Sequence, residues 1–148
     1  MPVLDSVSID PFTGEAILGW SPSPAGDAAG YVIYHVKPSL NDTLYWIPGR
    51  DSTFCRDLSF DPCAGNRSYA ISAYDSCGNI SPGSYDIPQR AIWLEDVAFD
   101  PCMMVNTLGW TEYINMEPPL EGYRIYCSVD GSAFSILGNV AAGITTFD

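Results

Sequence analysis

Residues 30–34 read Gly30-Tyr31-Val32-Ile33-Tyr34, and residues 122–126 read Gly122-Tyr123-Arg124-Ile125-Tyr126. The two stretches differ at one position and are displaced by 92 residues. Working upstream, Leu18-Gly19-Trp20 returns as Leu108-Gly109-Trp110, and Val7-x-x-Asp10-Pro11 as Val97-x-x-Asp100-Pro101, each displaced by 90. Working downstream, Thr53-Phe54 aligns with Thr146-Phe147, displaced by 93. The order of the matches is kept, and the spacing drifts only at connections. A period of about 90 residues is too long for a solenoid unit. It suits a tandem of small sandwich domains.

Inside each repeat the apolar residues alternate. Ala16, Leu18 and Trp20 share one face of a strand, Tyr31 and Ile33 share another, and so do Tyr69, Ile71 and Ala73. A period of two is the mark of a half-buried strand. Turn-forming residues separate the runs at Ser21-Pro22-Ser23-Pro24, Ile47-Pro48-Gly49, Asp61-Pro62, Cys77-Gly78-Asn79 and Ser81-Pro82-Gly83. The spacing predicts strands over 3–9, 14–21, 30–37, 43–47, 53–58, 67–75 and 83–88, then over 92–98, 105–111, 122–129, 133–138 and 144–148. Trp20, Tyr31, Ile33, Tyr69 and Ile71 are the predicted core of the first repeat, and Trp110, Tyr123 and Ile125 that of the second. No window predicts a helix.

These motifs resemble a fibronectin type III domain, an immunoglobulin-like β-sandwich with strands A-B-C-C′-E-F-G. Leu18-x-Trp20 is similar to the family's strand B, and Gly30-Tyr31-x-Ile33-Tyr34 to its strand C. Tyr69-x-Ile71-x-Ala73-x-Asp75 with Gly78-Asn79-x-Ser81-Pro82 is similar to strand F and the F–G loop. The form Asp75-Ser76-Cys77-Gly78-Asn79 further resembles domains of secreted, multi-domain proteins of Bacteroidetes-type bacteria. The resemblance implies an all-β tandem: a complete sandwich over 1–89, and a second copy over 90–148 without strands F and G. Tyr69 takes the tyrosine-corner position near the start of strand F. The incomplete copy leaves an open core, from which we expect self-association through 105–148.

Composition narrows the function. The chain carries 18 Asp and Glu against 6 Lys and Arg, a formal charge of −12. Nucleic-acid binding needs clustered cations to displace phosphate counterions, and an anionic membrane surface asks for the same. Nucleic acid is excluded as a partner, and an anionic membrane surface is disfavoured. No run of about 18 apolar residues predicts a membrane span. Met1-Pro2-Val3-Leu4-Asp5 lacks the basic and apolar regions of a signal peptide, so we read the sequence as a fragment. The resemblance, and not this absence, implies that its parent is a secreted or surface protein.

Five cysteines, Cys55, Cys63, Cys77, Cys102 and Cys127, show no C-x-x-C spacing, and His35 is the sole histidine. A zinc site asks for tighter spacing, so no metal or other cofactor is expected. Disulfides are the better reading. Strand topology puts Cys55 and Cys77 at one end of the sandwich, which makes them the candidate pair. One histidine and scattered carboxylates supply no familiar triad or glycosidase pair, so no catalytic residue is assigned and no enzyme is expected. Tyr45 and Trp46 are adjacent on a short strand and must point to opposite faces, which makes this pair the candidate ligand-binding site. The expected function is a non-catalytic extracellular interaction or spacer module with a protein or glycan partner. A carbohydrate-binding module using Tyr45 and Trp46 is the alternative.

Overall fold

A computed structural model describes residues 1–115 and 119–148. Every regular element in them is a β-strand. The chain forms two compact units, one holding Met1–Ala91 with the stretch that begins at Tyr113, the other holding Ile92–Glu112 with the stretch that ends at Asp148.

In the first unit β1 (Leu4–Ile9), β2 (Ala16–Trp20) and β5 (Phe54–Asp57) form one sheet in the order β1-β2-β5. Strands β3 (Ala28–Val36), β4 (Asp42–Pro48), β6 (Ser68–Asp75) and β7 (Gln89–Arg90) form the other, in the order β4-β3-β6-β7. All pairings are antiparallel. The three-against-four division, with the chain crossing between sheets after β2, β4 and β5, is the immunoglobulin-like sandwich of the fibronectin type III kind. The alternation of the sequence becomes burial: Leu4, Val7, Leu18, Trp20, Tyr31, Ile33, Tyr69 and Ile71 fill the space between the sheets. The Trp20 and Tyr31 rings meet with centroids 5.3 Å apart. The Tyr31 hydroxyl donates to the Arg50 carbonyl at 2.7 Å and accepts from the Ser23 N–H at 2.6 Å, so its polar tip is satisfied inside the core.

The seventh strand is not where the sequence predicts it. Residues 83–88 form no strand, and only Gln89–Arg90 pairs with β6, opposite Tyr69 and Ser68. Pro82 and Pro88 remove two donors that a regular ladder would need. Serines take over the edge. Ser81 and Ser84 each donate their N–H to β6, at Ala73 and Ile71, and accept the N–H of the same residue on Oγ at 3.0 Å. Two side chains thus replace the strand that period two suggested.

The second unit repeats the first through its fifth strand. Strands β8 (Leu94–Asp100), β9 (Val105–Trp110) and β12 (Thr146–Phe147) form one sheet, and β10 (Gly122–Cys127) and β11 (Ser135–Ala141) the other. Even the irregularities recur. A bulge interrupts β1–β2 between Leu4 and Ser6, and β8–β9 between Leu94 and Asp96. Another falls between Ile33 and Tyr34, and between Ile125 and Tyr126. Trp110 meets Tyr123 at the same 5.3 Å. The Trp20 N–H donates to the Thr53 carbonyl and that of Trp110 to the Thr145 carbonyl, both at 3.0 Å.

That last pair corrects the alignment. Cys55 lies opposite Leu18 and Phe147 opposite Leu108, so Thr53 matches Thr145 and Cys55 matches Phe147. A one-residue slip exchanges the two faces of a strand. Phe54 is accordingly exposed, while Phe147 packs against the cluster of Trp110, Tyr123 and Ile125.

Candidate functional site

Tyr45 and Trp46 are consecutive on β4, opposite Ile33 and Val32 of β3. Ile33 belongs to the core between the sheets. Val32 belongs to a second apolar cluster with Tyr34 and Ala70, against which Tyr74 and Tyr85 pack. The two candidate ligand residues therefore separate onto opposite faces of one sheet.

Tyr45 is not a free ligand-binding group. Its hydroxyl donates to Asp57 Oδ1 at 2.8 Å. Asp57, at the end of β5, is fully buried and is surrounded by donors. Oδ1 also accepts from the Ser59 N–H at 2.9 Å and the Ser59 hydroxyl at 2.7 Å. Oδ2 accepts from Arg67 Nη1 at 2.6 Å and the Tyr69 hydroxyl at 2.9 Å. Burial alone would push the Asp57 carboxyl up; the donors from Ser59, Tyr45, Tyr69 and Arg67 outweigh it and hold the carboxyl below the ordinary aspartate range. Tyr69 thus bonds a side chain rather than the backbone that a tyrosine corner would use. Its hydroxyl is pushed up, by burial first and by Asp57 second. This hub ties β4, β5, β6 and the connection between the last two into one buried polar network. Both oxygens of this carboxylate are engaged by donors within the first unit.

Trp46 is open. It is 53% exposed, and its ring meets the Tyr74 edge at 5.1 Å between centroids. Gly30 makes this ledge possible. A Cβ there would stand 2.3 Å from the Ile47 carbonyl oxygen and 2.6 Å from the Tyr74 hydroxyl, so the ring from β6 lies across β3 to reach Trp46. Beyond Tyr74 is a shallow cleft of about 220 Å³, where Asp27, Asp75, Asn79 and Ile80 contribute to the wall. Asp75 is committed to its own turn. Its Oδ2 accepts from Asn79 Nδ2 at 2.7 Å, and its Oδ1 from the N–H groups of Asn79 and Cys77 at 2.8 and 2.9 Å. The Asn79 side chain and then its backbone hold that carboxyl low.

The sequence pattern pointed to Trp46 but not to Tyr74 or Asp27, because the ledge joins residues of two strands that meet only in the sheet. A glycine opening a buried strand motif was the available signal: it marks a place where another side chain crosses the backbone.

The expected disulfide is not formed. Cys55 and Cys77 are both free thiols, as are Cys63, Cys102 and Cys127. Cys55 is buried on the inner side of β5, whereas Cys77 is exposed on the turn after β6. Burial, and secondarily Asp57, pushes the Cys55 thiol up to about 11, which suits a structural thiol and not a nucleophile. His35, opposite Asp42 and Tyr69 in the ladders, is held low by burial first and by the Arg67 and Lys37 charges next. Among the described residues no group of three or more His, Cys, Asp or Glu side chains is placed to hold a metal ion.

No family model matches the chain, and neither does any curated protein. Among solved structures it is similar to a Fn3-like protein from Clostridium thermocellum, with 21% identity and a TM-score of 0.46, over 62% of this chain and 88% of that one. The fold assignment rests on the strand order and register given above.

Proposed function

We propose that the chain is a non-catalytic interaction or spacer module of a larger secreted or surface protein. The observation that carries this reading is the use made of its chemistry-bearing groups. The buried carboxylate Asp57 has five donors on it, the buried thiol of Cys55 is held protonated, and the tyrosines nearest both are structural. What the first unit leaves outward is a rigid sandwich surface, suited to spacing or to contact with a partner. A fold of this kind hosts many functions, so the assignment rests on these groups and not on the architecture. A panel of esterase, peptidase, phosphatase and glycosidase substrates tests it. Turnover by the purified chain that survives repurification would sink the reading; none is expected. Protease shaving of intact source cells tests the location, and release of this segment is expected.

A second reading, a carbohydrate-binding module, draws on the exposure of Trp46 and its edge contact with Tyr74, which borders a mixed cleft holding Asp27, Asp75 and Asn79. Flat aromatic surface flanked by carboxylate and amide groups fits a sugar ring. Affinity electrophoresis through a series of polysaccharides decides it. Retardation that disappears in Trp46→Ala supports glycan binding, and unchanged mobility in every gel removes it.

A further inference from the structure

The outer face of the four-stranded sheet in the first unit is apolar and largely covered by its own side chains. Val32, Tyr34 and Ala70 are buried there, with Val36, Tyr74 and Tyr85 packed against them. Trp46 shares that face, opposite Val32, yet is 53% exposed. Its ring and that of Tyr74 meet at 61°, so they form a corner rather than one flat shelf. Tyr74 also lines the 220 Å³ cleft, together with Asp27, Asp75 and Asn79. The ladder explains this neighbourhood. Strand β6 sets Asp75 opposite Ala28 and Tyr74 opposite Gly30. Asp27, one residue before β3, thus shares the Asp75 end of that ladder. The site runs from two carboxylates through one tyrosine to one indole.

Charge at this place is one-sided. Among the described residues none that lines the cleft is basic. Three basic side chains of the first unit are engaged elsewhere: Lys37 with Asp42, Arg56 with Asp10 and Glu15, and Arg67 with Asp57. Asp27 and Asp75 form no ion pair among the described residues. The bonds that Asp75 accepts from Asn79 and Cys77 favour its charged form. An aromatic corner beside unbalanced negative charge favours a cation. The ring faces attract it through their quadrupoles, and the carboxylates through ordinary charge.

We propose that the Trp46–Tyr74 corner and the adjoining cleft bind arginine side chains of a basic segment of a partner protein. This rests on the reading of the chain as an interaction module and names the chemistry of its partner. The rings mark the place, and the charge selects the occupant. Arginine fits better than lysine, because its guanidinium is flat, stacks on aromatic faces and donates to carboxylates in the same plane. A neutral sugar would stack on the rings but leave both carboxylates uncompensated.

The test titrates the full chain with a peptide amide made of glycine, with arginine at its second and fourth positions. Nuclear magnetic resonance follows the Trp46 indole N–H and the Asp27, Tyr74 and Asn79 amides, and saturable shifts of these groups are expected. The same peptide with citrulline, which keeps the planar head and loses the charge, is expected to bind at least about tenfold more weakly. Trp46→Leu should weaken the arginine peptide by about fivefold. Asp27→Asn should weaken it by about threefold. Asp27 is exposed, so that variant folds as the parent does. No shift with the arginine peptide, equal binding of both peptides, or full binding by both variants overturns the proposal. So does a neutral polysaccharide that shifts these signals when the arginine peptide does not, an outcome that assigns the ledge to a glycan. Turnover in the substrate panel would sink the module reading itself, whereas a failed titration without turnover sinks only this proposal.

Discussion

The Tyr69 hydroxyl lies 2.9 Å from Asp57 Oδ2, both groups buried, one on β6 and the other at the end of β5. This bond joins the two sheets of the first unit through a polar contact inside an apolar core. Removing the carboxylate leaves the hydroxyls of Tyr45 and Tyr69 without their acceptor and Arg67 without its counter-charge. Breaking a buried pair from one side costs about 3 kcal/mol or more. Asp57→Ala is expected to destabilise the first unit by that amount, and Tyr69→Phe, which removes one donor, by about 1 kcal/mol. Hydrogen exchange of β3 and β6 amides measures both. Equal effects would mean that the hub does not act as a network.

Acid should unfold the first unit through the same carboxylate. The folded Asp57 carboxyl lies below its ordinary value, so the unfolded chain takes up the proton first as pH falls. The stabilisation is present in full above the unfolded aspartate range and is lost as pH falls through the folded value. Urea midpoints of the wild-type chain should therefore drop below about pH 4, a range set by the unfolded aspartate. In Asp57→Asn the drop should be smaller. An identical acid limb in both proteins would assign the transition to other carboxylates.

Gly30→Ala is expected to be costly although the site is an ordinary strand position. The new methyl would meet the Ile47 carbonyl oxygen, which is backbone and cannot turn aside, and the Tyr74 ring. Overpacking of this kind costs about 2 kcal/mol. The substitution should also displace Tyr74 from Trp46, seen as a change in near-ultraviolet circular dichroism. Gly122→Ala meets the Val140 carbonyl oxygen in the second unit in the same way. The glycine that opens each repeated motif is thus fixed by the neighbouring strand.

Thiol labelling should separate the cysteines by burial. Cys63, Cys77 and Cys102 are exposed and should react with a maleimide at neutral pH within minutes. Cys55, buried and with its thiol pushed up to about 11, should resist until the first unit unfolds. Peptide mass spectrometry of a labelling time course gives the order. Rapid modification of Cys55 would mean that β5 opens readily in the folded chain.

How much of this was legible in the sequence depends on whether the information was local. Trp20 and Trp110 could be placed in equivalent cores because each sits on an alternating strand beside a repeated motif. Adjacent Tyr45 and Trp46 had to diverge, because strand geometry gives consecutive side chains opposite faces. Which one would be consumed could not be read, since Asp57 reaches Tyr45 only across the sandwich edge. The last strand of the first unit was misplaced because serine side chains can satisfy a sheet edge without any alternating pattern. The dipeptide Thr53-Phe54 matches Thr146-Phe147 in sequence but lies one residue off the structural register, because the hydrogen bonds that set the register leave no mark in the local sequence.

The sharpest comparison is between the two leucines that begin β1 and β8. Leu4 lies opposite Trp20 and Leu94 opposite Trp110, each followed by the same bulge. Local sequence and pairing are therefore matched, and only the covering layer differs. Leu4→Ala opens a cavity in a filled core and should cost about 3 kcal/mol. Leu94→Ala removes a side chain already half in water and should cost less than about 1 kcal/mol. Hydrogen exchange of β2 and β9, read separately in the two variants, reports each unit without assuming a single unfolding transition. If the two substitutions cost the same, Leu94 is covered in solution although the strands described here leave it half exposed.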